Sequence, residues 1–166
     1  MSMPAEHLTS VKTLDRLLDG YTVAPEIAVA GIASDSREIG QGDVFFATRG
    51  MTHHGLEFAR RAVDSGARAV VYDPGDSVSP PNDLDVPVIA LEGLGDALGT
   101  IASRFFDDAA ADVGVLGVTG TNGKTTVAWL LAGALRRIGR TSAYSGTLGH
   151  GIDDIVATDT MTSPDV

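Results

Sequence analysis

The segment Gly120-Thr-Asn-Gly-Lys-Thr-Thr126 carries the strongest chemical pattern in this 166-residue chain. Its two glycines allow the backbone to curl so that successive N–H groups converge on phosphate oxygens. Lys124 supplies a mobile positive charge for terminal phosphates, and the hydroxyl of Thr125 suits a Mg²⁺ ion that bridges them. Because a helix N-terminus adds partial positive charge at the same point, the pattern predicts a nucleotide-phosphate loop.

The flanking sequence gives this loop the strand–loop–helix setting that phosphate binding requires. Residues 113–118 predict a strand, and the helix after the loop has an apolar stripe of Val127, Leu130, Leu131, Ala134, Leu135 and Ile138. The strict phosphate-loop pattern has glycine where this chain has Val118. An ordinary glycine-rich turn with an exposed lysine is the alternative, and the Gly-Lys-Thr-Thr ending favours phosphate binding over it.

Composition and charge restrict the class of protein. Hydrophobic residues make up 43% of the chain, enough for a buried core, and 12 Lys+Arg against 22 Asp+Glu give a net charge of −10. Nucleic-acid binders normally carry a basic face, so nucleic acid is not an expected partner. Cysteine is absent, which excludes a disulfide scaffold. No apolar run approaches the roughly 20 residues of a membrane span and no signal peptide is evident, so we expect a soluble, cytoplasmic protein.

Short apolar segments alternate with amphipathic ones, which predicts an α/β fold with a parallel or mixed sheet covered by helices. The pattern predicts helices over residues 10–19, 56–64 and 94–106, and strands over residues 43–47, 69–72 and 88–91. The proline-rich residues 74–87 predict a loop. A small, polar run at 107–112 predicts a domain boundary, which gives domains 1–110 and 111–166.

Several motifs, taken with the phosphate loop, resemble the Mur ligase family over about residues 33–166. Ser34-Asp-Ser-Arg37 and Gly42-Asp-Val-Phe-Phe-Ala47 are similar to an element of that family's UDP-binding domain. Gly50-Met-Thr-His-His-Gly55 resembles its Gly-x-x-x-Asp-Gly turn, with His54 in place of the usual Asp. Gly146-Thr-Leu-Gly-His-Gly151 and Met161-Thr-Ser-Pro-Asp165 resemble motifs of the member that adds the third amino acid of the peptide, with Ser163 where Thr is usual.

This resemblance implies a UDP-binding α/β domain in residues 1–110 and, in residues 111–166, the first strand, phosphate loop and helix of an ATP-binding domain with a parallel sheet. It implies a monomeric, ATP- and Mg²⁺-dependent ligase of peptidoglycan precursor synthesis. Such an enzyme adds meso-diaminopimelate or L-lysine to UDP-N-acetylmuramoyl-L-alanyl-D-glutamate through an acyl phosphate. By resemblance, Lys124 is catalytic and Thr125 is the metal ligand. The implied ATP contacts are Gly120, Thr121, Asn122, Gly123, Lys124, Thr125 and Thr126, and the implied substrate contacts are Ser34, Ser36, Met51, Thr52, His53, Thr162 and Ser163.

Other interpretations of these residues and of the function remain open. Ser34-Asp-Ser36 is also a common turn or helix cap, and Thr162 and Ser163 also suit a polar tail. His53 and His54 suit a surface turn better than a metal site, because no acidic or histidine partner stands nearby at ligand spacing. The functional alternatives are a sister ligase that adds D-alanyl-D-alanine and a non-catalytic fragment that binds nucleotide or UDP-sugar. We expect the 166 residues alone to be inactive as a ligase.

Overall fold

The computed structural model describes residues 12–50, 53–75 and 78–152. The chain divides into two compact units between Ala111 and Asp112. This division does not show what either unit binds, so the assignment of a UDP-binding and an ATP-binding domain stays a prediction.

The first unit is built on a parallel sheet of four strands in the order β3-β4-β5-β6. The strands are β3 (Ile32–Ala33), β4 (Val44–Ala47), β5 (Ala69–Tyr72) and β6 (Val88–Ala90). All residues of the two central strands are buried, as expected for a sheet that is covered on both faces. The observed architecture confirms the predicted α/β fold class. β4, β5 and β6 lie close to the strands predicted over residues 43–47, 69–72 and 88–91, whereas no strand was predicted at β3.

The two faces of this sheet bury separate apolar cores. Val44 and Phe46 point to the core formed with α1 (Leu14–Leu17) and α3 (Leu94–Phe105). Phe45 and Ala47 point to the core formed with α2 (Ala59–Asp64). Phe45 and Phe46 are each 1% exposed, and burial of such a side chain contributes roughly 1.5–3 kcal/mol. The alternation of side chains along β4 therefore holds helices on both sides of the sheet.

The prediction of an N-terminal helix over residues 10–19 is wrong, because the observed helix is much shorter. Lys12–Thr13 forms a short strand, β1, which pairs antiparallel with β2 (Ala28–Val29), and α1 follows with only four residues. Thr13 has extended backbone angles, and the Leu14 N–H donates to the Ile27 carbonyl at 2.9 Å. Ladder hydrogen bonds outweigh helix propensity here. Residues 10 and 11 lie outside the described residues.

The helix predicted over residues 56–64 has a different beginning. A 3₁₀ helix spans Gly55–Phe58, and α2 continues over Ala59–Asp64. His54 caps the 3₁₀ helix with its side chain and Glu57 completes a capping box, which fixes the chain direction as it leaves the preceding turn. The predicted helix over residues 94–106 is confirmed as α3, and no helix or strand interrupts the described residues of the predicted loop at 74–87.

The second unit contains α4 (Lys124–Arg137) and a hairpin of β7 (Tyr144–Gly146) and β8 (Gly149–Gly151). The strand predicted over residues 113–118 is not formed, because within the described part of this unit no strand pairs with it. The apolar stripe predicted for the helix is present in α4, but Leu130 is 58% exposed and Ala132 is the helix residue that is buried. The described elements of this unit give α4 little apolar surface to pack against.

No helix within the part of the chain that the structure describes is long and apolar enough to cross a membrane.

Candidate functional site

The first group of predicted site residues follows neighbouring strands at one edge of the parallel sheet. Ser34 and Ser36 come shortly after β3, His53 follows β4, and Asp73 directly follows β5. The carboxyl ends of parallel strands meet at the same edge, which is where open α/β sheets form their ligand crevices. The topology therefore brings the predicted Ser34, Ser36 and His53 to one edge, although they are separated along the chain.

The turn after β3 is held by an ion pair between neighbours. The Arg37 backbone N–H donates to Asp35 Oδ1 at 2.8 Å, and the guanidinium Nε donates to the same carboxylate at 2.8–2.9 Å. The hydrogen bonds from the Arg37 side chain hold the pKa of Asp35 below its ordinary value, against the opposing effect of partial burial. Ser36 is only 6% exposed, so its proposed role as a substrate contact is restricted to a ligand group that reaches into the turn.

The turn after β4 is closed by backbone hydrogen bonds. The Gly50 N–H donates to the His53 carbonyl at 2.9 Å, and the Gly55 N–H donates to the Thr48 carbonyl at 2.8 Å. A Cβ at Gly55 would lie 2.8 Å from Ala47 Cα, so only glycine fits where the turn returns to the strand. The predicted contacts Met51 and Thr52 lie outside the described residues.

The two histidines of this turn have different environments. The side chain of His53 is 66% exposed, and its Nδ1 lies 3.3 Å from Glu57 Oε2. That exposure leaves the ring of His53 available to a ligand at the crevice. His54 is partly buried and bonded through both ring nitrogens, with Nδ1 to Leu56 N at 3.1 Å and Nε2 to the Asp73 carbonyl at 2.9 Å. The sequence left the role of His54 open, and the structure makes it a link between the turn and the end of β5.

The second group of predicted site residues lies at the start of α4. Gly123 has a left-handed backbone with φ 78° and precedes the helix, and Gly120 also has positive φ. The first intrahelical bond runs from the Val127 N–H to the Gly123 carbonyl. The N–H groups of residues 124–126 therefore have no partner within the helix and point out of its N-terminus, an arrangement that attracts anions.

The side chains of this loop are arranged by two polar contacts. Lys124 Nζ donates to the Gly120 carbonyl at 2.7 Å, which folds the ammonium group back over the loop. Thr125 Oγ1 lies 2.8 Å from Thr147 Oγ1, in the turn that joins β7 and β8. Local spacing in the sequence does not indicate a role for Thr147, because its partner Thr125 lies 22 residues away.

The donor set at this helix start fits a Mg²⁺ ion that is held mainly by a nucleotide. Mg²⁺ prefers oxygen ligands and is commonly bound through one or two protein oxygens, with phosphates and water supplying the rest. The hydroxyl of Thr125 is such an oxygen. Across residues 12–50, 53–75 and 78–152, no group of three His, Cys, Asp or Glu side chains could hold a metal by itself.

The remaining predicted contacts, Thr162 and Ser163, lie outside the described residues. The structure therefore describes Ser34, Ser36 and His53 at one sheet edge in the first unit, and residues 120–126 around a helix start in the second.

Comparisons with known proteins agree with these motifs. Residues 28–106 match the family model described as Mur ligase family, catalytic domain. The chain is 43% identical over 151 residues to the UDP-N-acetylmuramoyl-L-alanyl-D-glutamate–2,6-diaminopimelate ligase of Alkalilimnicola ehrlichii, covering 87% of this chain and 30% of the relative. It is 38% identical over 159 residues to the protein of that name from Xanthomonas campestris pv. campestris, covering 95% and 31%. The chain thus spans about 30% of the length of the curated relatives it matches.

Solved structures show the same fold. A UDP-N-acetylmuramoyl-L-alanyl-D-glutamate–2,6-diaminopimelate ligase superposes with a TM-score of 0.66 at 24% identity, covering 92% of this chain and 31% of that one. A crystal structure of MurF from Acinetobacter baumannii superposes with a TM-score of 0.55 at 24% identity, covering 77% and 28%.

Proposed function

Since this chain belongs to the Mur ligase family, we propose that it is part of an ATP-dependent ligase of peptidoglycan precursor synthesis. The proposed reaction joins 2,6-diaminopimelate to UDP-N-acetylmuramoyl-L-alanyl-D-glutamate. The names of these two relatives support diaminopimelate over L-lysine and over D-alanyl-D-alanine as the group added. We further propose that the protein is a monomer and works in the cytoplasm. Nucleic acid is not a proposed partner, because the net charge of −10 would repel its phosphates.

The sheet edge of the first unit is the proposed site for the UDP end of the substrate. Ser34 offers a hydroxyl, and the exposed ring of His53 offers a hydrogen-bond donor to a phosphate or to uracil. Met51 and Thr52, which directly precede His53 in the sequence, are proposed as further contacts. Ser36 is proposed to contact the part of the nucleoside that reaches into the turn after β3. By binding the UDP end, this unit would deliver the distant reacting carboxylate in a fixed orientation. Thr162 and Ser163 are proposed to hold the muramoyl-peptide.

The helix start of the second unit is the proposed site for ATP. The backbone N–H groups of residues 124–126 would bind phosphate oxygens, with the remaining loop residues 120–123 closing around them. Lys124 would exchange its bond to the Gly120 carbonyl for one to the transferred phosphoryl group. Thr125 would hold the Mg²⁺ ion, which when bound neutralises part of the phosphate charge.

The proposed chemistry has two steps. The γ-phosphoryl group of ATP moves to the free carboxylate of the D-glutamate residue, which gives an acyl phosphate and ADP. An amine of diaminopimelate then attacks the acyl carbon, so that the amide C–N bond forms while the C–O bond to phosphate breaks. The amine gives up its proton, and inorganic phosphate leaves. Lys124 acts here by electrostatic stabilisation of the charge that builds up on the transferred group.

The observation that carries this proposal is the placement of Lys124 and Thr125 in the first turn of α4, directly after a loop with a left-handed Gly123. Two NMR titrations of the 166-residue chain test it. UDP-N-acetylmuramoyl-L-alanyl-D-glutamate should shift the amides of residues 34–37 and 50–55, and Mg·ATP should shift those of residues 120–126. The amides of α3 serve as the internal control. A response of only residues 120–126 to the UDP compound would contradict the assignment of the first unit.

A further inference from the structure

Tyr144, the first residue of β7, is a buried tyrosine to which neither proposed site gives a role. It is 5% exposed, and β7 lies against α4. Within residues 12–50, 53–75 and 78–152, its hydroxyl oxygen is buried and has no hydrogen-bond partner. A buried hydroxyl without a partner is destabilising, so packing of the ring, and not a bond from the hydroxyl, holds Tyr144 in place.

The ring of Tyr144 lies over Gly146. Residues two apart in a strand share a face, and a Cβ built at Gly146 would lie 2.8 Å from Tyr144 Cζ and closer still to the hydroxyl oxygen. The backbone of Gly146 does not have a positive φ, so a side chain is excluded here by the ring and not by the backbone conformation. Glycine at this position therefore makes room for the ring.

Two polar contacts join this segment to α4, one on each side of Tyr144 in the sequence. Before it, Ser142 Oγ donates to the Ala132 carbonyl at 2.8 Å. After it, Thr147 Oγ1 lies 2.8 Å from Thr125 Oγ1. The position of the Thr147 hydroxyl therefore depends on the preceding glycine, against which the ring of Tyr144 is packed.

We infer that Tyr144 is a positioning residue, whose ring, packed on Gly146, holds Thr147 where its hydroxyl orients that of Thr125. This role rests on the proposed function, because it takes Thr125 as the Mg²⁺ ligand. A ligand hydroxyl that is already oriented loses less conformational freedom when it binds the ion. The ring should therefore affect binding of the metal-bound nucleotide and not of the nucleotide alone, and the Tyr144 hydroxyl should affect neither.

The binding test compares two substitutions of Tyr144 in the 166-residue chain. Calorimetric titration measures the affinity for ATP with excess Mg²⁺ and with a chelator in place of Mg²⁺. Tyr144→Leu removes the ring and should weaken Mg·ATP binding about threefold to tenfold, the value of one hydrogen bond, with the affinity for metal-free ATP unchanged. Tyr144→Phe keeps the ring and should bind both as the wild type does. Tyr21→Leu, the same substitution in the first unit, is the matched control and should change neither affinity.

A second measurement reads the orientation of Thr125 without a ligand. Three-bond couplings to the Thr125 methyl carbon report its χ1 rotamer. They should indicate one dominant rotamer in the wild type and in Tyr144→Phe, and an average over rotamers in Tyr144→Leu. Helical backbone carbon shifts over residues 130–137 of each variant check that α4 is intact.

Gly146→Ala tests the same contact from the other side. The added methyl group would displace the ring, so Mg·ATP binding should weaken in this variant as well, again without a change for metal-free ATP. In a Tyr144→Leu background the methyl group no longer meets the ring, so Gly146→Ala should add little further loss. Losses that simply add in the double variant would overturn the role of the contact.

The outcomes separate this role from the proposed function. If Mg·ATP leaves the amides of residues 120–126 unperturbed in the wild type, the proposed ATP site is wrong and the role of Tyr144 fails with it. If Mg·ATP binds there and Tyr144→Leu keeps the wild-type affinity, the proposed site stands and the role is overturned. An equal loss for metal-free ATP, or an equal loss in Tyr144→Phe, would overturn it as well.

Discussion

Thr125 Oγ1 and Thr147 Oγ1 are hydrogen-bonded at 2.8 Å, which joins the first turn of α4 to the turn between β7 and β8. The hydroxyl of Thr147 therefore restricts the rotation of the side chain that we propose as the Mg²⁺ ligand. A hydroxyl that is already oriented loses less conformational freedom when it binds an ion. Thr147, 22 positions further along the chain, thus has a role in orienting the Thr125 hydroxyl.

Replacement of Thr147 should weaken the binding of Mg·ATP without abolishing it. Thr147→Val removes the hydroxyl with little change of shape, and we expect about a threefold to tenfold loss of affinity, the value of one hydrogen bond. Thr147→Ser keeps the hydroxyl and should retain most of the affinity. Calorimetric titration of both variants at several Mg²⁺ concentrations measures the effect. Equal affinities of the Val and Ser variants would show that the contact has no role in binding.

Gly55 should be intolerant of any side chain. A Cβ there would meet the Ala47 backbone at 2.8 Å, and because backbone cannot rotate away, Gly55→Ala should destabilise the protein by about 1–3 kcal/mol. Gly99→Ala in α3, where nothing lies within 4 Å of the added Cβ, should instead stabilise it by about 0.5–1 kcal/mol. Urea unfolding of the two variants measures both values, and the two changes should have opposite signs.

The ion pair in the turn after β3 should make stability depend on acidic pH. The hydrogen bonds from Arg37 lower the pKa of Asp35 in the folded state, so the carboxylate stabilises the fold above the usual aspartate range near pH 4. This contribution is lost as pH falls through the lowered folded-state pKa. Since the Arg37 side chain is 62% exposed, we expect only about 1 kcal/mol.

Asp35→Asn should therefore reduce stability at pH 7 and have a smaller effect near pH 2–3. Unfolding curves of the variant and the wild type across this range measure the difference. A difference that stays constant from pH 7 to pH 2 would contradict the role of the charged carboxylate.

The helix α4 should exchange its amide hydrogens faster than the central strands of the first unit. Val127, Leu130 and Ile138 are 52%, 58% and 74% exposed, so little apolar burial opposes local opening of the helix. The strands β4 and β5 are buried along their whole length. Hydrogen exchange on the 166-residue chain tests this difference, and protection of α4 equal to that of β4 would contradict it.

Local patterns predicted the elements that packing also favours. The apolar runs at residues 43–47 and 69–72 became central strands because both faces of the sheet are covered. The helical spacing at residues 94–106 matched α3, which packs one stripe of apolar residues, among them Ile101, into the core. In these segments local preference and tertiary burial point to the same structure.

Local patterns failed where a distant segment decides the structure. Lys12 and Thr13 lie in a segment whose apolar spacing predicts a helix, but they pair as a strand with Val29 and Ala28. The apolar run at residues 113–118 predicts a strand, but within the described residues no other strand pairs with it. The carbonyl partner of His54 lies 19 residues away, at Asp73. Such partners are set by the fold, so the residue types near each position do not reveal them.

We propose that the loop at residues 120–126 binds the phosphates of ATP for amide ligation. The decisive test is the turnover number of Lys124→Ala in the intact ligase, measured as ATP-dependent amide formation with diaminopimelate. Loss of a charge that acts on the transferred phosphoryl group typically costs about 10²–10³ in rate, or roughly 3–4 kcal/mol.

Binding of the UDP substrate should change little in Lys124→Ala, because Lys124 belongs to the second unit and the proposed UDP site to the first. Lys124→Arg should not restore activity, since a planar guanidinium replaces a compact ammonium. Arg137→Ala, at the exposed end of the same helix, is the control and should retain normal turnover. We expect a loss of at least about a hundredfold in turnover for Lys124→Ala with the UDP substrate still bound. Near-normal turnover of that variant would contradict the phosphate-loop assignment and the ligase function together.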